Sequence, residues 1–276
     1  MRAAKTYRCK TTLIAAACVL LAACSTFRNG FPNHPQAPSL EDPARPSTDS
    51  KAMYLDLIRQ MQQQGAYYAS LAHIDAFRLR YGDPPELQRL QGDALRETGQ
   101  GEAAAKVYQG MLHGPQAAAA WHGLGLIAAN DQRYAEAEKN LRQATQLEPI
   151  NVTYLNDLGY ARLTAGNVAA AHQPLAEAAE LEPANTKVVS NLALWASLQG
   201  DDAQADAIMQ RANLPAATRD AVRKLAMQMH LQQLRSDTAA TGSASGDKAA
   251  LNAPAQGIPA TLLDRLGNPP ATGGQP

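Results

Sequence analysis

AAAWHGLGLIAANDQRYAEAEKNLRQATQLEPIN, residues 118–151, decides how the rest of the chain is read. Trp121, Leu124 and Gly125 belong to a first helical pattern, and Tyr134, Ala137, Leu141 and Ala144 to a second, closed by Pro149. The following stretch, 152–185, keeps the same order with Leu155, Leu158, Gly159, Gly166, Ala171, Leu175, Ala178 and Pro183. Small residues returning at one phase about every 34 positions mark helical hairpins stacked into a solenoid, in which each unit buries its apolar face only against the next. The small residues serve close approach. Gly or Ala on the first helix meets Ala on the second, so the axes pack tightly while Leu, Tyr and Trp fill the space beside them.

The pattern extends in both directions. Residues 186–217 keep Leu192, Gly200, Ala205 and Ala212, with Ala193 in place of the first glycine. Upstream, Gly92, Leu95, Gly99, Ala104 and Tyr108 mark a unit whose loop is one residue shorter. The weakest match is 51–83, with Leu57, Gly65, Tyr67 and Phe77. This spacing resembles the tetratricopeptide repeat. It implies an all-α superhelical solenoid of about five repeats over residues 51–217. Composition agrees: aromatics are 5% of the 276 residues and the hydrophobic fraction is 45%, which suits closely packed helices better than a sheet core.

The first 23 residues read as an export signal. Arg2, Lys5, Arg8 and Lys10 precede an apolar run from Leu13 to Leu21, roughly half of the ~20 residues a membrane helix needs. Leu21-Ala-Ala-Cys24 resembles the lipobox of bacterial lipoproteins, which implies acylation of Cys24 as the first mature residue. Three acyl chains, at roughly 0.8 kcal/mol per buried methylene, make such an anchor effectively permanent. In enterobacterial members an Asp after the Cys retains the protein in the inner membrane. Ser25 stands there instead, which implies the outer membrane, facing the periplasm. Cys9 and Cys18 leave with the signal, so no disulfide supports the mature chain and stability rests on helix stacking. Losing four cations from a balance of 25 against 25 leaves 21 against 25, a net of −4. That balance points away from nucleic acid and anionic surfaces.

Residues 24–50 carry Pro32, Pro35, Pro38, Pro43 and Pro46, and read as a semi-rigid tether at about 3.1 Å per residue. After the repeats, residues 218–236 place Val222, Leu225, Ala226 and Met229 at helical spacing, with Arg219, Arg223 and Lys224 elsewhere on the turn. A solenoid needs a terminal helix with one polar face, and this stretch fits that role. Residues 237–276, rich in Ala, Gly, Thr and Pro, bury too little apolar surface to offset their ordering entropy and read as a disordered tail. Leu262, Leu263 and Leu266 are the one cluster in it with the spacing for a short amphipathic turn on binding.

Chemistry is sparse. Gly123-Leu-Gly125-Leu-Ile-Ala128 meets a loose dinucleotide fingerprint, but it follows an alanine run inside a helical repeat where a strand is required. The six histidines include no pair at metal-ligand spacing, and no Gly-x-Ser-x-Gly elbow or thiol nucleophile is present. The reading is therefore a binding protein, with no cofactor, no small-molecule substrate and no enzymatic role. Asn151-Val-Thr153 matches a glycosylation acceptor by chance in a bacterial protein. Pro174 falls inside a helix and removes the amide that Ala170 would accept, so a kink or an opened turn is expected there.

In tetratricopeptide arrays the first helices line the concave face, with the fifth and ninth positions of each unit pointing into it. The resemblance carries those positions to Leu55 and Arg59, Arg89 and Asp93, His122 and Leu126, Asn156 and Tyr160, and Ser190 and Leu194. The last six define the candidate protein-binding groove, a mixed apolar and amide-lined surface suited to an amphipathic helix or an extended peptide. The combination of a lipobox, a proline-rich tether, about five repeats and the runs Tyr154-Leu-Asn-Asp-Leu-Gly-Tyr-Ala-Arg-Leu-Thr-Ala-Gly166, Val189-Ser-Asn-Leu-Ala-Leu194 and Leu198-Gln-Gly200 resembles the TadD lipoproteins of tight-adherence (Flp pilus) secretion systems. That resemblance implies an accessory role in building the pilus machine, through the secretin or other outer-membrane components. The pilotin of type IV pili and an adaptor for cell-wall hydrolases are alternatives of the same scaffold class.

The anchor is directly testable. Replacing Cys24 by Ser is expected to release the protein from outer-membrane fractions, and a variant that still sediments with them refutes acylation at that position.

Overall fold

The computed structural model describes residues 48–242; the export signal, Cys24, most of the 24–50 tether and the tail beyond 242 lie outside them. Eleven helices follow one another: α1 Thr48–Gln63, α2 Tyr67–Tyr81, α3 Pro85–Glu97, α4 Gly101–Met111, α5 Ala117–Asn130, α6 Tyr134–Leu147, α7 Val152–Thr164, α8 Val168–Leu181, α9 Thr186–Leu198, α10 Asp202–Arg211 and α11 Ala216–Gly242. No strand occurs among the described residues. The first ten helices pair into five hairpins, the weak 51–83 unit included. Each second helix packs on the first helix of the next hairpin. First helices also touch one another along the array (α1 with α3, α3 with α5, α7 with α9), and no pair of second helices makes contact of that extent. That difference places the first helices on the inner side of the curve.

The small residues do what the sequence assigns them. A Cβ added to Gly125 would lie 2.7 Å from Leu141 Cγ, and one on Gly159 would run into Leu175, so both hairpins close only because the side chain is absent. Ala193 in the fifth hairpin is fully buried without glycine. Ala104, Ala137, Ala171 and Ala205 on the second helices are likewise buried. The core forms a series of clusters, each spanning neighbouring hairpins. Leu55, Ile58, Ile74, Phe77, Leu87 and Leu90 join the first two, and Ala104, Tyr108, Met111, Ala120 and Ile127 the second and third. Met53 and Leu57 are exposed, since no described helix stacks in front of α1.

Turn chemistry repeats with the same period. Glu148-Pro-Ile-Asn151 and Glu182-Pro-Ala-Asn185 end one hairpin and start the next. Asn151 accepts from the Tyr154 amide (3.3 Å) and Asn185 from the amides of Lys187 (3.1 Å) and Val188 (3.3 Å), as N-caps do. Their own amide groups donate to Glu148 (2.9 Å) and Glu182 (2.7 Å). Within the hairpins, Gly166 and Gly200 take positive φ (79° and 84°), and the third hairpin uses Gln132 (61°) at the same place, a strain of roughly 1–2 kcal/mol for a residue with a Cβ.

Helix α8 runs unbroken through Pro174, which is buried. The Ala170 carbonyl that proline leaves without an amide accepts instead from Arg162 Nη1 (2.9 Å), while Arg162 Nε donates to Glu138 (3.2 Å). One guanidinium thus ties α6, α7 and α8 together and replaces the missing helical bond. The opened turn expected from the sequence does not form.

Helix α11 is longer than the 218–236 stretch, and α1 begins within the residues assigned to the tether. Ala239 and Ala240 favour helix, and the Thr238 hydroxyl bonds the carbonyls of Leu234 (3.0 Å) and Arg235 (2.9 Å) near the C-terminal end. Among the described residues no helix is long and apolar enough to cross a membrane.

Ala171 reports on the repeat register. Replacing it by Arg overpacks the seam and buries a charge, at a cost of at least ~3 kcal/mol, or a fall in Tm of about 6 °C or more. An unchanged thermal melt would contradict the packing described.

Candidate functional site

The inner face is built from one side of each first helix, and its character changes along the array. At the N-terminal end it is charged. Arg59 on α1 donates to Glu86 on α3 (Nε, 2.7 Å) and also pairs with Asp56. Arg89 pairs with Asp93 at 2.9 Å, and Asp93 accepts from the Tyr108 hydroxyl of α4 at 2.8 Å. Burial, followed by the charge of Asp93, pushes the Tyr108 phenol up, so it remains a neutral donor. Leu55, by contrast, is buried.

In the middle, α5, α7 and α9 are joined through one carboxylate. Asp157 Oδ2 is 2.8 Å from His122 Nε2, and Oδ1 accepts from Asn156 (3.1 Å) and pairs with Lys187 Nζ (3.2 Å). Asn191 Nδ2 extends the chain of bonds by donating to Asn156 Oδ1 at 2.8 Å. Burial by itself would raise the Asp157 pKa, but Lys187 and His122 outweigh it and hold the carboxyl well below the usual carboxylate range. The His122 ring stacks on Tyr154 with centroids 4.6 Å apart, and burial pushes the Tyr154 phenol up to about 12.

At the C-terminal end the face is apolar and covered. Val222, Leu225, Ala226 and Met229 of α11 share one buried cluster with Leu163 of α7 and Val189, Ala193 and Leu194 of α9. Tyr160 and Leu198 pack at its edge. Helix α11 packs chiefly on α9, and at the rim Arg223 reaches Asp206 of α10 (2.7 Å).

The six residues assigned to the groove therefore do not form one open surface. Ser190 and Leu194 are buried (1% and 0% exposed), Leu194 within the cluster that includes α11. Asn156 is buried and spent on Asp157 and Asn191. His122, Leu126 and Tyr160 remain half-buried, and His122 is held by Asp157. The basic residues of α11 include Arg223, engaged with Asp206 and Asp220. What the sequence reading missed is Asp157, with its partners Lys187 and Asn191. One signal was available: Asn191 occupies in the fifth hairpin the place of Asp157 in the fourth, beside the inward positions. Among the described residues no group of three or more His, Cys, Asp or Glu is placed to hold a metal ion.

The tetratricopeptide repeat family matches residues 118–151. A tetratricopeptide repeat-containing protein of Pseudomonas aeruginosa is 29% identical over 167 residues, which cover 59% of this chain and 65% of that protein. Among solved structures, PilF of Pseudomonas aeruginosa superposes with a TM-score of 0.53 at 16% identity, over 68% of this chain and 91% of PilF. MamA from Desulfovibrio magneticus RS-1 gives 0.48 at 18% identity, over 59% and 93%. The fold of residues 48–242 is a tetratricopeptide-repeat solenoid.

Asp157 predicts a pH dependence. Its depressed folded-state pKa contributes stability that is fully present above the ordinary carboxylate value and is lost as pH falls below about 4. Asp157→Asn is expected to cost about 2–4 kcal/mol at pH 7, with the gap in Tm to wild type closing in thermal melts taken below pH 4. A gap that stays constant with pH would show that the ion pairs do not couple the repeats.

Proposed function

We propose that this chain is a lipid-anchored scaffold on the periplasmic side of the outer membrane, which holds other proteins along its repeats during assembly of a tight-adherence (Flp) pilus machine. The observation that carries the binding role is the array itself. Five stacked hairpins present their first helices side by side, giving an extended inner face with charged residues at one end and an apolar groove at the other. Repeats of this kind build concave surfaces that hold polypeptides. The lipobox-like Leu21-Ala-Ala-Cys24 and the proline-rich stretch after it support a tethered, periplasmic location. The runs Tyr154–Gly166, Val189–Leu194 and Leu198–Gly200 support the tight-adherence assignment, and they all fall on the fourth and fifth hairpins and their turns.

The likeness to PilF concerns the fold, and the whole-protein role of the Pseudomonas relative covers more chain than the aligned part. The system is therefore decided by genetics. Deleting the gene in its source bacterium is expected to abolish Flp pili on the cell surface and to deplete the pilus secretin from outer-membrane fractions, with recovery on expressing the full chain. Normal pili and normal secretin in the deletion strain would overturn the assignment. Loss of a different pilus, or of cell-wall hydrolase recruitment, would move the scaffold to that system.

A further inference from the structure

We infer that the inner groove over α7 and α9 is a binding site for an amphipathic helix of a partner protein, and that α11 occupies this site in the free chain as a displaceable stand-in. The inference deepens the scaffold reading by naming the partner's chemistry and the device that guards the site.

Three observations support it. The first is position. Helix α11 buries Val222, Leu225, Ala226 and Met229 against Leu163 and Leu194, on the inner side of the last two hairpins where such arrays hold their ligands. It runs far enough for the Gln233 amide to lie 3.2 Å from where a Cβ on Gly166 would stand, at the α7–α8 turn. Its contacts are mainly with α9, the inward helix of the last hairpin, whereas the next unit of a regular array would rest on α10.

The second is an incomplete fit. Ser190, one turn before Leu194 on the same side of α9, is 1% exposed, and its hydroxyl has no hydrogen-bond partner. A buried polar atom left unpaired costs free energy, which a ligand carrying a hydroxyl or amide at that point recovers. Helix α11 offers that hydroxyl no partner.

The third is the outer side of α11. A helix that only caps a solenoid turns a polar face to water. Here Met227, Leu231 and Leu234, at positions i, i+4 and i+7, are 67%, 47% and 50% exposed. The helix thus has apolar residues on two opposite sides, only one of which is satisfied by the groove. Its link to α10 is short: residues 212–215 separate the two helices, with Asn213 at a positive φ of 52°. The partner that fits is a helix with small and medium apolar residues at i, i+3, i+4 and i+7, as in α11, plus one polar side chain facing Ser190.

The test needs only the full chain and a peptide, so its failure is separate from failure of the pilus assignment. First, hydrogen exchange on the wild-type chain is expected to show α11 amides exchanging at least tenfold faster than those of α9, because the helix opens while the repeats stay folded. Equal protection of the two helices would overturn the inference. Second, a fluorescent peptide of residues 216–235 is added to wild type and to Leu225→Glu, with binding read by anisotropy. The variant, whose own helix is expelled, is expected to bind at least tenfold tighter, since the fraction of chains with an open groove rises. A variant as helical as wild type that binds the peptide no better would also overturn it. Should Leu225→Glu lose its helicity, the exchange measurement on the wild-type chain decides.

Discussion

Close approach of two helices within each hairpin is the constraint on which the rest of the molecule depends. At Gly125 and Gly159 the partner leucine sits where a Cβ would be, so the crossing distance is set by the absence of a side chain. Gly92 and Gly123 both lie against the Tyr108 ring, so two hairpins share one aromatic wedge. Tight hairpins leave the larger residues no place except the gap to the next hairpin. Stacking is therefore forced by the same atoms that close each unit. An inner face made only of first helices follows from that stacking, and any binding role of the chain has to use surfaces this geometry presents.

Polar contacts then fix how neighbouring hairpins sit on one another. Apolar surface is tolerant of small slides, whereas a carboxylate that must meet His122, Asn156 and Lys187 is not. Asp157 draws on three consecutive first helices, and its lowered pKa records that the attraction exceeds the cost of burying it. Arg162 does comparable work on the outer side. It answers the carbonyl freed by Pro174 and reaches Glu138 at the same time. Both groups convert a repeating apolar pattern into a particular alignment of particular repeats.

The hairpins were legible in the sequence because their determinants are local and periodic. Leu155, Gly159, Ala171 and Leu175 identify themselves by spacing alone, and every predicted hairpin forms. The candidate groove was less legible, for reasons that differ by residue. Asn156 points inward as its position implies, yet Asp157 beside it and Asn191 in the next hairpin take up its hydrogen bonds. Pairings that cross repeats leave no mark in a pattern read one unit at a time. Leu194 was assigned to the groove, but the periodicity of Val222, Leu225, Ala226 and Met229 shows only that α11 has an apolar side, not that it covers Leu194. For Pro174 the missing donor is evident from the residue itself, while the replacement comes from Arg162 on another helix.

The division of the inner face follows from what water tolerates. Over α1 and α3 the inward groups are Arg59, Glu86, Arg89 and Asp93, which pair as Arg59 with Glu86 and Arg89 with Asp93 and remain hydrated at their edges, while His122 of α5 is held by Asp157. Such a surface stays open at little cost, since half-exposed ion pairs gain little from further burial. Over α7 and α9 the inward groups are Tyr160, Leu163, Leu194 and Leu198, and leaving them in water would forfeit roughly 25 cal/mol for every Å² of apolar area. The array therefore needs a helix at this end, and α11 is the one it has. A groove apolar enough to demand a cover is also apolar enough to accept another helix in its place. The residues that make the C-terminal half stable in isolation are thus the ones that would give it a partner.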